Sequence, residues 1–148
     1  RINFIKSCDF KKIAPIVLEQ HLFHIDCNFL KWEQWLGSIV TTMQLCNTYS
    51  PNRHRRDRNK ISHFNEGGWS FSSFGGPSKI KEKFESIAHK EFNNDKFKNI
   101  NHIINCQKSG ADLFYRNIES KKIDKNFFPK DLLDLMNQNP KFYFGSSS

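Results

Sequence analysis

Several things are missing from this sequence of 148 residues. No apolar run approaches the roughly 20 residues that a membrane-crossing helix needs, and no leader-like segment is visible. The chain opens on Arg1 rather than Met, as expected of a fragment or a processed product, so the missing leader says nothing of a parent protein. The four cysteines (Cys8, Cys27, Cys46, Cys106) form no Cys-x-x-Cys pair. That spacing argues against a zinc site and leaves free thiols or disulfides open. Asparagine is abundant, yet no Asn-x-Ser/Thr sequon occurs, which counts against a glycosylated lumenal protein. Asp-x-Asp is absent too, as are internal repeats and any linker that would divide the chain.

What is present is charge and aromatic bulk. The net charge of +8 and pI near 9.4 imply attraction to anions: nucleic acid, acidic lipid heads or the diphosphate of a nucleotide sugar. The hydrophobic share is only 37% and the mean hydropathy −0.67, but 15 Phe and 3 Trp supply core material. The length suits one domain, expected over residues 1–145, with a frayed tail at 146–148.

Residues 9–19 fit a helix broken near Pro15, and 21–29 alternate as a strand with Leu22, His24 and Asp26 on one face. Trp32 and Trp35 flank an expected turn closed by Gly37, and the β-branched run 38–45 reads as a second strand. Residues 46–60 read as a polar loop. Its run Arg53-His54-Arg55-Arg56-Asp57-Arg58 is most simply a solvated loop, and next a nucleic-acid patch. A short strand is expected over 61–64.

The centre of the chain is Glu66-Gly67-Gly68-Trp69-Ser70-Phe71-Ser72-Ser73-Phe74-Gly75-Gly76-Pro77. Trp69, Phe71 and Ser73 alternate with Ser70, Ser72 and Phe74, a short two-faced strand between glycine turns. Pro77 opens a helix expected to reach Phe92, with Ile80, Phe84, Ile87 and Ala88 as its apolar stripe. Asp95 is expected to cap a second helix ending at Ser109-Gly110, and Pro129 to open a last one.

Gly68-Trp69-Ser70-Phe71-Ser72, then Gly76-Pro77, Ile80, Lys83, Ser86 and His89-Lys90-Glu91-Phe92 resemble the Gly-Trp-His-x-Ser block and following Lys-x-x-Ser-x-x-His-x-Glu helix of glycosyltransferase family 17. Its best-known members are β-1,4-mannosyl-glycoprotein β-1,4-N-acetylglucosaminyltransferases. Trp35-Leu36-Gly37, the arginine loop, Asp112 to Arg116 and Asn139-Pro140-Lys141-Phe142 match the family in style, so the resemblance runs from about His21 to Phe144. It covers only the later half of that family's catalytic domain.

The resemblance implies an α/β chain forming part of a GT-A-like nucleotide-sugar transferase domain, short strands followed by C-terminal helices. It implies N-acetylglucosamine transfer from UDP-GlcNAc to a glycan acceptor, with inversion. It also implies Mn2+, whose paired aspartates are absent here and are expected upstream of Arg1. A eukaryotic member would be secretory or Golgi-resident, a bacterial or viral one cytoplasmic. Ser70 stands where the family has histidine. Either metal dependence or catalysis is weakened with sugar binding retained, or a neighbouring His63 or His89 substitutes.

The carboxylate base that inversion requires has Glu91 and Glu66 as leading candidates, with Asp26 a third. Expected substrate contacts are Trp69, Ser70, Ser72, Arg53, Arg55, Arg56, Trp35 and His89. The expected partners are a UDP-sugar donor and a glycan acceptor, with no nucleic acid and no membrane segment. The alternative is a catalytically inactive transferase-fold module that binds glycan or, through its basic loop, nucleic acid.

Overall fold

The computed structural model describes residues 6, 7, 9, 15–86 and 90–139. Its elements run β1 (Ile16–His24), β2 (Phe29–Val40), α1 (Met43–Thr48), α2 (Pro51–Arg56), β3 (Ser62–Phe64), β4 (Trp69–Ser72), α3 (Pro77–Ser86), α4 (Asp95–Lys98), α5 (Ile100–Ser109), β5 (Lys121–Lys122) and α6 (Lys130–Gln138). Short 3₁₀ turns lie at Arg58–Lys60, Lys90–Phe92 and Lys125–Phe127. The strands hydrogen-bond in the order β3-β1-β2-β5, and β4 also pairs with β1. β3 is parallel to β1, with Ile16 opposite Ser62 and Leu18 opposite Phe64. β5 is antiparallel to β2, with Phe29 opposite Lys122. The class is mixed α/β, as expected. Among the described residues no helix is long and apolar enough to cross a membrane.

Four expectations for local structure are corrected. Residues from Ile16 onward are strand, not the end of a helix, because Ile16, Val17 and Leu18 favour a pleated, half-buried ladder. Trp35-Leu36-Gly37 is not a turn but lies inside the 12-residue strand β2. The second strand stops at Val40 because Thr42 starts a helix there, its hydroxyl accepting from Leu45 N at 3.3 Å. The polar loop contains the helix α2, with Ser50 Oγ accepting from Arg53 N at 3.3 Å and Pro51 in the first turn.

The chain divides into two compact units. The first comprises Arg1–His21 and Glu33–Ser70. In it the buried Gln20 pins β2: its Oε1 accepts from Ser38 N at 3.1 Å and from Ser38 Oγ at 3.4 Å. Gly37 makes this possible, because a Cβ there would meet Gln20 Oε1 and come within 2.6 Å of the Trp35 ring. His21 N donates to Gly68 O at 2.9 Å, and Gly67 N to Glu19 O at 2.6 Å, so the first glycine pair lies directly against β1. Arg58 reaches back to Leu36 O at 3.1 Å.

The second unit comprises Leu22–Trp32 and Phe71–Ser148 and carries most of the described hydrophobic core. Ile80 and Phe84 from α3 meet Ile103 and Cys106 from α5, with Ile25 and Leu113, and Phe97 and Phe114 flank them. The i, i+4 and i, i+3 spacings put each pair on one helix face. Phe23, fully buried, packs against Phe71, Phe127 and Phe128 with ring centroids 5.2 to 6.0 Å apart. Each such buried side chain stabilises the fold by roughly 1.5–3 kcal/mol. α3 is expected to Phe92 and is described only to Ser86; 87–89 lie outside the described residues, and Lys90–Phe92 form a 3₁₀ turn. The expected second helix is two: Asn94, not Asp95, caps α4, and Asn99 caps α5. Gly110 then ends α5 with φ 75°, a left-handed stop that glycine adopts without strain. Pro129 precedes α6 as expected, and the expected tail at 146–148 lies outside the described residues.

Candidate functional site

The first unit contains a cleft of about 330 Å³. β2 supplies Trp35, Ser38 and Ile39; α2 supplies Pro51, His54 and Arg55; Thr41, Cys46 and Ser70 complete its polar lining. The local rules above account for this convergence. Gln20 holds Ser38 in place, Gly37 admits the Trp35 ring, and the Ser50 cap starts the helix that turns His54 and Arg55 to one side. Three residues expected to contact substrate, Trp35, Arg55 and Ser70, are thereby brought together across a long stretch of sequence.

Two further lining groups were not singled out from the sequence. His54 is 7% exposed, and its Nε2 meets no hydrogen-bond partner among the described residues. Thr41 Oγ1 is likewise buried without a partner. Burying a polar atom unpaired costs about 1–3 kcal/mol. Both atoms are closed off from solvent, so they mark tension in the wall of the cleft and are not contacts open to a ligand. The signal was legible in principle: Ser50-Pro51 is a helix start, and Pro51, His54, Arg55 and Arg58 then fall at i, i+3, i+4 and i+7, on one side.

The other arginines of the run are committed elsewhere. Arg53 Nε lies 3.7 Å from Asp57 Oδ2, with its guanidinium 4.6 Å over the Tyr49 ring. Arg56 Nε is 3.8 Å from Asp57 Oδ1. Neither lines the cleft, and the same holds for Trp69, half-buried in β4, and Glu66, exposed with φ 54°. Ser72 and Glu91 belong to the second unit, Glu91 exposed in its 3₁₀ turn and Ser72 accepting through its carbonyl from Ile25 N at 2.9 Å. His89 lies outside the described residues. His63 pairs with Glu19 at 3.0 Å and does not line the cleft.

Among the described residues no three His, Cys, Asp or Glu side chains come together to hold a metal ion. The cleft itself offers one imidazole, one thiol, hydroxyls and a guanidinium, with no carboxylate. That donor set does not suit a hard divalent cation, which takes carboxylate and carbonyl oxygens. Manganese does not fit here.

Among the described residues, the titratable groups with perturbed behaviour lie in the second unit. Asp112 is buried; burial alone would raise its pKa, but Arg116 and Lys31 hold its carboxyl well below the usual range. Arg116 Nη2 lies 2.8 Å from Asp112 Oδ2 and Lys31 Nζ 3.0 Å from it, with the Lys31 side chain only 2% exposed. This segment is the Asp112 to Arg116 stretch, folded as a turn: Phe114 N also donates to Asp112 Oδ1 at 2.8 Å. Asp26 is buried with its Oδ1 accepting from Asn28 N at 2.8 Å, and burial raises its pKa. Burial pushes the neighbouring Cys27 thiol up to about 12, which keeps it protonated and unreactive.

No family model matches the chain, and neither do the curated proteins or the solved structures.

Proposed function

We propose that the chain is a glycosyltransferase family 17-like protein, the later part of a GT-A-like domain, and that the cleft of its first unit holds one sugar ring. One observation carries this: Trp35, Arg55 and Ser70, each named as a substrate contact from the sequence, line a single cleft. A tryptophan ring offers an apolar face to the axial C–H groups of a pyranose, while hydroxyl groups match its oxygens. The volume is near the lower end of small-ligand sites, roughly 300–1,000 Å³, which suits one ring rather than a chain.

On this reading UDP-GlcNAc is the donor and a glycan the acceptor. The deprotonating carboxylate and the metal are contributed from outside the cleft, since no Asp or Glu lines it. Glu66 and Glu91 are the carboxylates the sequence offers for the base. The same lack of a lining carboxylate favours a second reading, a transferase-fold module that binds glycan without catalysis.

Release of UDP from UDP-GlcNAc in the presence of manganese separates them, measured on the chain with its natural upstream segment restored and on the Ser70→His version of that longer chain. The transferase reading expects release by the unmodified chain, raised or unchanged in Ser70→His. Sugar binding with no release from either protein would leave the binding module. Release only by Ser70→His would mark a site silenced by that one substitution.

A further inference from the structure

We infer that the cleft of the first unit selects a sugar that carries an anionic group, a phosphate or a carboxylate, with Arg55 opposing the charge. The inference rests on the sugar-binding reading above and adds the charge of the ligand and the residue that reads it. It begins from how the basic run is spent. Arg53 and Arg56 share Asp57, and Arg58 donates to Leu36 O at 3.1 Å. Arg55 is exposed and has no carboxylate partner among the described residues, and it is the arginine of the run that lines the cleft.

No acidic side chain lines the cleft to cancel that charge. A neutral sugar would leave the guanidinium without a counter-charge beside it, whereas a phosphate or carboxylate accepts two parallel N–H bonds from it. Trp35 and Ser70 share the lining with Arg55, an apolar ring face and a hydroxyl beside the guanidinium. A cleft of about 330 Å³ takes one substituted ring, with whatever is attached to that ring lying outside it.

Calorimetric titration of the chain at low salt with N-acetylglucosamine, N-acetylglucosamine 1-phosphate, glucuronic acid and inorganic phosphate tests it. We expect at least one charged sugar to bind about tenfold or more tightly than the neutral one, an advantage that shrinks as salt is added. Arg55→Gln should erase that advantage and Arg55→Lys keep much of it. Ser70→Ala should weaken charged and neutral sugars alike. A phosphate preference points to a glycosyl phosphate as the source, a carboxylate preference to an acidic glycan. Equal affinity for neutral and charged sugars would overturn the inference and leave the sugar site standing. Inorganic phosphate binding as tightly as the sugar phosphate would overturn it as a bare anion site, and no sugar binding at all would sink the sugar-binding reading as well.

Discussion

His24 shows how one buried side chain ties the fold to pH. It sits at the end of β1 with its ring 5.8 Å from that of Phe114. Burial lowers its pKa from 6.5 to about 4; nearby Asp112 opposes this, while Lys31, Arg116 and Lys83 add to it. Below pH 6.5 the unfolded chain takes up a proton that the folded chain refuses, so stability falls as pH drops from 6.5 toward about 4. The full effect is on the order of 3 kcal/mol. Urea unfolding of the natural chain and of His24→Gln across that window should show stability falling more steeply with acid in the first than in the second, where Asp26 and Asp112 still titrate. Asp26, whose pKa burial raises, titrates with the opposite sign, so the comparison with the variant isolates His24. Equal slopes would mean that His24 is protonated in the folded chain.

At the level of elements, β2 and α2 build the cleft, and both were misjudged from sequence for identifiable reasons. Trp35-Leu36-Gly37 looks like a turn because glycine breaks strands when nothing else is known. Here Gly37 is a strand residue, selected by the close approach of Gln20 and the Trp35 ring. That neighbour is 17 residues away in the chain and invisible to local pattern (37 − 20). The arginine run looks like a loop because its charges mask the helix start at Ser50-Pro51. By contrast, α3, α5 and α6 were readable, since each carries an apolar stripe or a terminating proline or glycine. Gly37→Ala follows from the corrected picture. Its Cβ would force the Trp35 ring and Gln20 apart, and overpacking of this kind costs about 1–3 kcal/mol. The variant should melt at a lower temperature and show altered tryptophan fluorescence. An unchanged melting curve and emission spectrum would mean that the strand relaxes around the added methyl.

For the molecule as a whole, the sequence conveyed the α/β class and a good share of the cleft but not its boundaries. Trp35, Arg55 and Ser70 are named as substrate contacts largely through the family resemblance, and all three line the cleft. The helix start at Ser50-Pro51 already places His54 beside Arg55, whereas the burial of His54 Nε2 and Thr41 Oγ1 without partners is a property of the folded chain alone. Glu66 and Glu91 were chosen on the need for a base, and neither lines the cleft. A two-dimensional NMR titration of isotopically labelled protein with N-acetylglucosamine and its 1-phosphate would locate the proposed sugar site residue by residue. Binding in this cleft produces saturable shifts in the amides of Trp35, Ser38, Thr41, His54, Arg55 and Ser70 and in the Trp35 indole N–H. Shifts confined to residues of the second unit, or no saturable shift with either sugar, would contradict it.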